Sequence, residues 1–173
     1  MKHTWTALVL SLMVGFCLIS CGTETSEEIV PINAAWLEDN LQCVTLELYY
    51  IDPDVLTRAP WNITDLIRSC NIHITVRGGE IQKHKDLLCQ MFDTPIVPID
   101  NEDGYLNARI YLALYNEEDE AVFEVAMWGK EDVIFVNGIP CTANSVFYDV
   151  IMEFLPEDAS TELRNYIGRQ GDG

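Results

Sequence analysis

Between Tyr105 and Asn137 the chain alternates apolar and polar positions in three runs separated by acidic or glycine-containing stretches. Leu106, Ala108, Ile110, Leu112 and Leu114 alternate with Asn107, Arg109, Tyr111, Ala113 and Tyr115, the period of two expected of a half-buried strand. Ala121, Phe123, Val125 and Met127 repeat the pattern, and Val133 to Asn137 adds a third run. Asn116 to Glu120 and Gly129 to Asp132 are too polar for a core and short enough for hairpin loops. The stretch 105–137 therefore predicts an antiparallel three-stranded meander.

The flanking pattern predicts further strands and the helices that cover them. Val44, Leu46, Leu48 and Tyr50 alternate with Thr45, Glu47 and Tyr49 in a strand over 44–51, closed by the turn-forming Asp52-Pro53-Asp54. Asn62 is placed to cap a short helix from Ile63 to Ser69. A strand over 71–77 follows, with Ile72, Ile74 and Val76 on one face. Gly78-Gly79 then leads into a helix whose Ile81, His84, Leu88 and Phe92 form one stripe. Pro95 and Pro98 confine Ile96 to Ile99 to a sheet edge, because neither can donate to a ladder. Asn33 caps a short helix carrying Ala35, Trp36 and Leu41, and Asn144 opens another with Phe147, Val150, Ile151 and Phe154 on its apolar face. Asn137-Gly138 reads as a tight turn. Ala159 to Ile167 is a last amphipathic helix with Gly168 as its C-cap. The expected class is α+β: a mixed or antiparallel sheet with helices packed on one face.

Composition and charge narrow the partners. The 173 residues include 49% hydrophobic residues, which excludes wholesale disorder. Asp and Glu number 28 against 10 Lys and Arg, a net charge of −18, and one of those bases, Lys2, lies in the leader described next. This balance argues against nucleic acid and against direct docking on anionic lipid, since both need clustered Lys and Arg. It favours solubility, attraction of cations, or a basic partner.

The first residues say where the chain works. Lys2 and His3 precede the apolar run from Trp5 to Ile19, and Ser20 precedes Cys21, which together make a secretory signal peptide too short for a permanent span. Leu18-Ile19-Ser20-Cys21 resembles the lipobox of bacterial lipoproteins. The resemblance implies transfer of a diacylglycerol to the Cys21 sulfur, cleavage before Cys21, and a mature chain held to a membrane of the cell envelope by lipid. Gly22 lacks the Asp that would suggest inner-membrane retention in the Gram-negative sorting pattern, so outer membrane and cell surface both stay open. The expected organisation is a signal peptide over 1–20, an acidic tether over 21–30, a single α+β domain over 31–168 and a frayed tail over 169–173.

Catalytic and metal motifs are sparse. Asp52 with Asp54 has acid–base spacing, but 28 carboxylates produce such pairs by chance. Asp100 to Gly104 and Asn116 to Glu120 offer oxygen ligands for calcium without EF-hand spacing, and both read better as solvated turns. His73 and His84 have no partner at zinc spacing, and no serine lies within Gly-x-Ser-x-Gly. Arg77 to Lys85 is the one basic cluster, a strand-to-helix turn able to meet an anion except that Glu80 sits where the anion must go. No Cys-x-x-Cys occurs, which removes a thioredoxin-like redox site, and no cofactor is implied.

Cys43, Cys70, Cys89 and Cys141 remain once Cys17 is cleaved away and Cys21 is lipidated. If the strands that follow Cys43 and Cys70 are parallel neighbours, their starts lie side by side and a Cys43–Cys70 disulfide is favoured; the alternative is four buried thiols. The functional expectation is a lipid-anchored binding or accessory module of the bacterial envelope, meeting an envelope protein or extracellular ligand. A lipoprotein hydrolase assembled from scattered residues is the rival, and it requires a deep pocket in which His73 or His84 meets two carboxylates. A shallow surface displaying Tyr49, Tyr111 or Tyr115 favours binding.

Overall fold

A computed structural model describes residues 33–100, 106–128 and 133–170. The lipobox with Cys21, the tether, the Asn101–Gly104 part of the first acidic loop, the Gly129–Asp132 loop and residues 171–173 lie outside the described residues.

The chain runs α1 (Ala34–Asn40), β1 (Thr45–Tyr50), α2 (Ile63–Ser69), β2 (Ile72–Arg77), α3 (Gly79–Lys83), α4 (Lys85–Asp93), β3 (Ile110–Tyr115), β4 (Ala121–Met127), β5 (Val133–Val136), β6 (Ile139–Thr142), α5 (Ser145–Phe154) and α6 (Glu157–Gln170). The strands form one sheet in the order β2-β1-β3-β4-β5-β6. Every neighbouring pair is antiparallel. The class is α+β, and β3, β4 and β5 are the expected meander.

Side chains at alternate positions divide the sheet into two faces. Leu46, Leu48 and Tyr50 of β1, Ile110, Leu112 and Leu114 of β3, and Phe123, Val125 and Met127 of β4 pack with Leu37 of α1 and Leu41 just after it, Ile81, Leu88 and Met91 of α3 and α4, Phe147, Val150 and Ile151 of α5, and Leu163 of α6. Leu112 is fully buried at the middle of this core. Truncating such a leucine to alanine removes about 2–5 kcal/mol.

The opposite face holds a smaller cluster of Tyr49, Ile51, Tyr111, Ala113 and Ala126, covered by Leu66 of α2 with Trp61 and Ile63 beside it. One short helix thus lies apart from the layer formed by the others. Asn62 and Asp65 close a capping box at its start: the Asp65 amide donates to Asn62 Oδ1 at 2.9 Å, and the Asn62 amide to Asp65 Oδ2 at 3.2 Å.

Several boundaries differ from the sequence pattern. β3 begins at Ile110, and Leu106 and Ala108 leave the alternation to join the second cluster. The Ala108 amide donates to the Trp61 carbonyl at 2.8 Å, which draws this segment toward the chain leading into α2. The continuous helix expected from Ile81 to Phe92 is broken at His84, whose amide turns back to the Ile81 carbonyl at 2.9 Å. Gly168 lies inside α6 instead of ending it, so the helix runs into the stretch expected to fray. β6 has no counterpart in the sequence pattern. Asn137 and Gly138, with φ of 48° and 76°, make the two-residue hairpin turn that creates it. Ile96 to Ile99 reaches the sheet only as a bridge between Pro98 and Cys141, on the outer side of β6.

The proposed Cys43–Cys70 disulfide does not form. β1 and β2 are antiparallel, with Thr45 opposite Arg77 and Tyr50 opposite Ile72, so the cysteines preceding the two strands stand at opposite ends of the pair. A six-residue strand separates its ends by about 17 Å, far beyond the reach of a disulfide. The crossover through residues 52–69 returns the chain along the sheet instead of carrying it back to the starting end. Cys43, Cys70, Cys89 and Cys141 are free thiols.

Candidate functional site

On the second face of the sheet, α2 and the segment around Trp61 cover the middle and leave the margins partly open. On β2, His73, Thr75 and Arg77 are exposed in alternation with half-buried Ile72, Ile74 and Val76. β1 contributes Thr45, Glu47 and Tyr49 to this face, β3 contributes Tyr111, Ala113 and Tyr115, and β4 contributes Glu124 and Ala126. Glu47 and Glu124 both lie opposite Ala113, one strand to either side of it. Strand spacing puts their backbones about 10 Å apart.

On this face of β3, Tyr111 is buried, Ala113 fully buried and Tyr115 half-buried. A groove runs along each side of β3. One, of about 250 Å³, is lined by Thr45, Glu47, Arg77, Tyr115 and Asp119. The other, of about 270 Å³, has walls of Ile63, Leu106, Ala126 and Phe135 with Tyr111 and Glu124 at its polar side.

A tyrosine holds each carboxylate. The Tyr111 hydroxyl donates to Glu124 Oε2 at 2.9 Å, and the Tyr49 hydroxyl donates to Glu47 Oε2. His73 Nε2 stands 3.8 Å from the same Glu47 oxygen, and its ring stacks on Tyr49 with centroids 4.2 Å apart and planes 9° from parallel. Burial, followed by these bonds to carboxylates, pushes the Tyr49 and Tyr111 phenols well above their ordinary range. Both hydroxyls therefore stay protonated donors at physiological pH. Glu124 is fixed at its backbone too: its amide donates to Asn137 Oδ1 at 2.9 Å, and its carbonyl accepts from the Asn137 amide at 2.9 Å.

The other sequence candidates fall outside this face or are occupied in holding turns. Asp52 and Asp54 line a separate cavity with Glu162 and Asn165, and Asp52 Oδ1 accepts the Asp54 amide at 2.8 Å. In the β3–β4 hairpin, Asn116 Oδ1 accepts the amides of Glu118 at 3.1 Å and Glu120 at 2.8 Å, the ordinary chemistry of a closed turn. Among the described residues no group of three or more His, Cys, Asp or Glu side chains is arranged to hold a metal ion. Glu80 pairs with Lys83 at 2.7 Å, which pulls the Glu80 carboxyl below its usual range and fills the basic turn with its own anion. His84 lies on the other side of the molecule, its Nδ1 3.2 Å from Glu153 and its ring 4.7 Å from that of Phe154.

Among the described residues neither histidine pairs with two carboxylates. His73 is near one glutamate and His84 near another. Of the named tyrosines, Tyr115 is half-buried, whereas Tyr49 and Tyr111 are buried rings that act through their hydroxyls. Glu47, Glu124 and Phe135 carry no motif that marks them as site residues in the sequence. Their signal is a place on the polar face of a strand, which acquires meaning only when the registers bring them to one surface. No protein-family model, curated protein or solved structure matches this chain.

Proposed function

We propose that the protein is a lipid-anchored binding or accessory module of the bacterial envelope that engages its partner through the partly open second face of the sheet. The observation that carries the reading is the pair of grooves on either side of β3, each with a glutamate held by a tyrosine hydroxyl. Preset polar groups beside apolar walls are what a recognition surface requires, because little side-chain freedom is then lost on binding. The lipobox at Cys21 and the acidic stretch after it supply anchor and reach in this reading.

The test is photocrosslinking in the native envelope. A photoreactive phenylalanine analogue replaces Phe135 or Thr75 on the open face, or Asp149, an exposed position on α5. A discrete adduct from 135 or 75 and none from 149 is the expected result. Adducts of equal yield from all three positions, or from 149 alone, would remove the open face as the binding surface. In parallel, Cys21→Ala is expected to move the protein out of the detergent phase or block its processing; unchanged mass and partitioning would remove the anchor.

A further inference from the structure

We propose that the groove beside Glu124 takes one cationic side chain, a lysine or arginine presented by a protein partner. This rests on the reading of the open face as a binding surface and adds the chemistry that it recognises. The first support is size: about 270 Å³ falls just below the range of pockets that enclose drug-sized ligands, about 300–1,000 Å³, and suits a single side chain. The second is the arrangement of polarity. Ile63, Leu106, Ala126 and Phe135 offer apolar contact to a methylene stem, and Glu124 offers its charge at the polar side. The third is orientation. Tyr111 holds one carboxylate oxygen and Asn137 the strand beneath it, so the glutamate is in place before a cation arrives.

Charge complementarity selects a cation over other occupants. Glu124 has no ion pair among the described residues, whereas Glu47, across β3, shares its groove with Arg77 and has His73 at 3.8 Å. A net charge of −18 raises the local concentration of basic partners around the whole molecule. Gly138 at the lip of the groove leaves open space where a side chain would begin, so a partner backbone can pass close to it.

The experiment titrates short neutral peptides carrying one central lysine, arginine, norleucine or glutamate into the full lipidated chain in detergent, followed by NMR at low salt. The lysine and arginine peptides are expected to bind about tenfold more tightly than the norleucine peptide. The glutamate peptide should bind most weakly. Glu124→Gln keeps an acceptor for Tyr111 and is expected to abolish the preference for the cation. Glu118→Gln, which removes an equal charge from the exposed β3–β4 hairpin, should leave it intact. Norleucine binding as well as lysine, or equal losses in the two variants, would overturn the proposal in favour of apolar docking or of general charge attraction. In the envelope, a crosslink from residue 135 that persists unchanged with Glu124→Gln leaves the binding surface standing and removes the cationic anchor; absence of any crosslink from the face with Glu124 intact removes both.

Discussion

Arg109 is a buried cation in an acidic chain, 1% exposed, and its surroundings explain how it is tolerated. Its guanidinium lies 5.4 Å from the ring centre of Trp61 and 5.6 Å from that of Trp128, and it donates to Asn107 Oδ1, the Ala108 carbonyl and Thr57 Oγ1 at 2.6, 3.0 and 2.9 Å. The planar fork pins the 57–61 segment to the start of β3. Burial draws its pKa down, although an arginine stays charged at any physiological pH. Arg109→Ala is expected to cost about 3–5 kcal/mol in urea unfolding, because several donors' partners and two indole faces lose their occupant together. Arg109→Lys should recover less than half, since an ammonium cannot lie between two rings and reach three oxygens; full recovery would show that charge alone matters. The tyrosines give a pH prediction at the same scale. Tyr49, Tyr50 and Tyr111 titrate above their unfolded value because burial disfavours the phenolate. Their contribution is fully present below about pH 10 and fades above it, as the unfolded chain loses protons that the folded chain keeps. Stability should fall by about 1.4 kcal/mol per pH unit for each such tyrosine above pH 10, and phenolate absorbance should lag until the chain unfolds. Phenolate absorbance rising in full before any loss of fold would contradict this.

Asn137 shows how one turn residue serves both hairpin and site. Its φ of 48° suits the two-residue turn before β6, and its side chain accepts the Glu124 amide at 2.9 Å. Asn137→Gly keeps the backbone conformation and loses the side-chain bond, with an expected cost of about 1 kcal/mol in thermal unfolding. Asn137→Val adds the strain of a β-branched residue at positive φ and is expected to cost more; equal losses would mean that the conformation contributes nothing. The Asn-Gly pair announced this turn, yet β6 was not legible, since Pro140 breaks the four-residue strand pattern and Ile139 and Thr142 are exposed. The meander and α2 were legible because alternation and caps act locally: Leu112 and Val125 meet across β3 and β4, and Asn62 with Asp65 opens the helix where expected. Strand direction was not, because the crossover between β1 and β2 carries no marker of parallel or antiparallel return. The candidate site needed that direction. Glu47 and Glu124 share a row with Ala113 only in the antiparallel registers, and nothing within either strand says so.

At the scale of the whole molecule, the absence of cross-links among the described residues and the excess of acid determine what holds the domain together. Cys43, Cys70, Cys89 and Cys141 are free, so the thermal midpoint should be the same with and without reductant; a drop of many degrees on reduction would require a bond that the strand directions forbid. Stability then rests on the two faces of the sheet, opposed by self-repulsion from a net charge of −18. Among the described residues the ion pairs that offset that repulsion are few and exposed. Lys83 with Glu80 and Lys85 with Glu38 lie at 2.7 and 2.9 Å, each with at least one partner half open to water. Pairs of this kind contribute about 0–1 kcal/mol and weaken in salt. Repulsion among many acids weakens in salt as well, and over the whole surface it is the larger effect. Raising sodium chloride from about 10 mM to 150 mM shortens the screening length from about 30 Å to 8 Å, which removes repulsion between distant carboxylates while leaving contacts inside the core unchanged. The thermal midpoint should therefore rise by a few degrees over that range. Tetramethylammonium chloride should match sodium chloride, because screening depends on ionic strength and not on the cation's ability to be coordinated. A midpoint that rises with calcium at equal ionic strength but not with tetramethylammonium would instead indicate carboxylates that bind a specific ion.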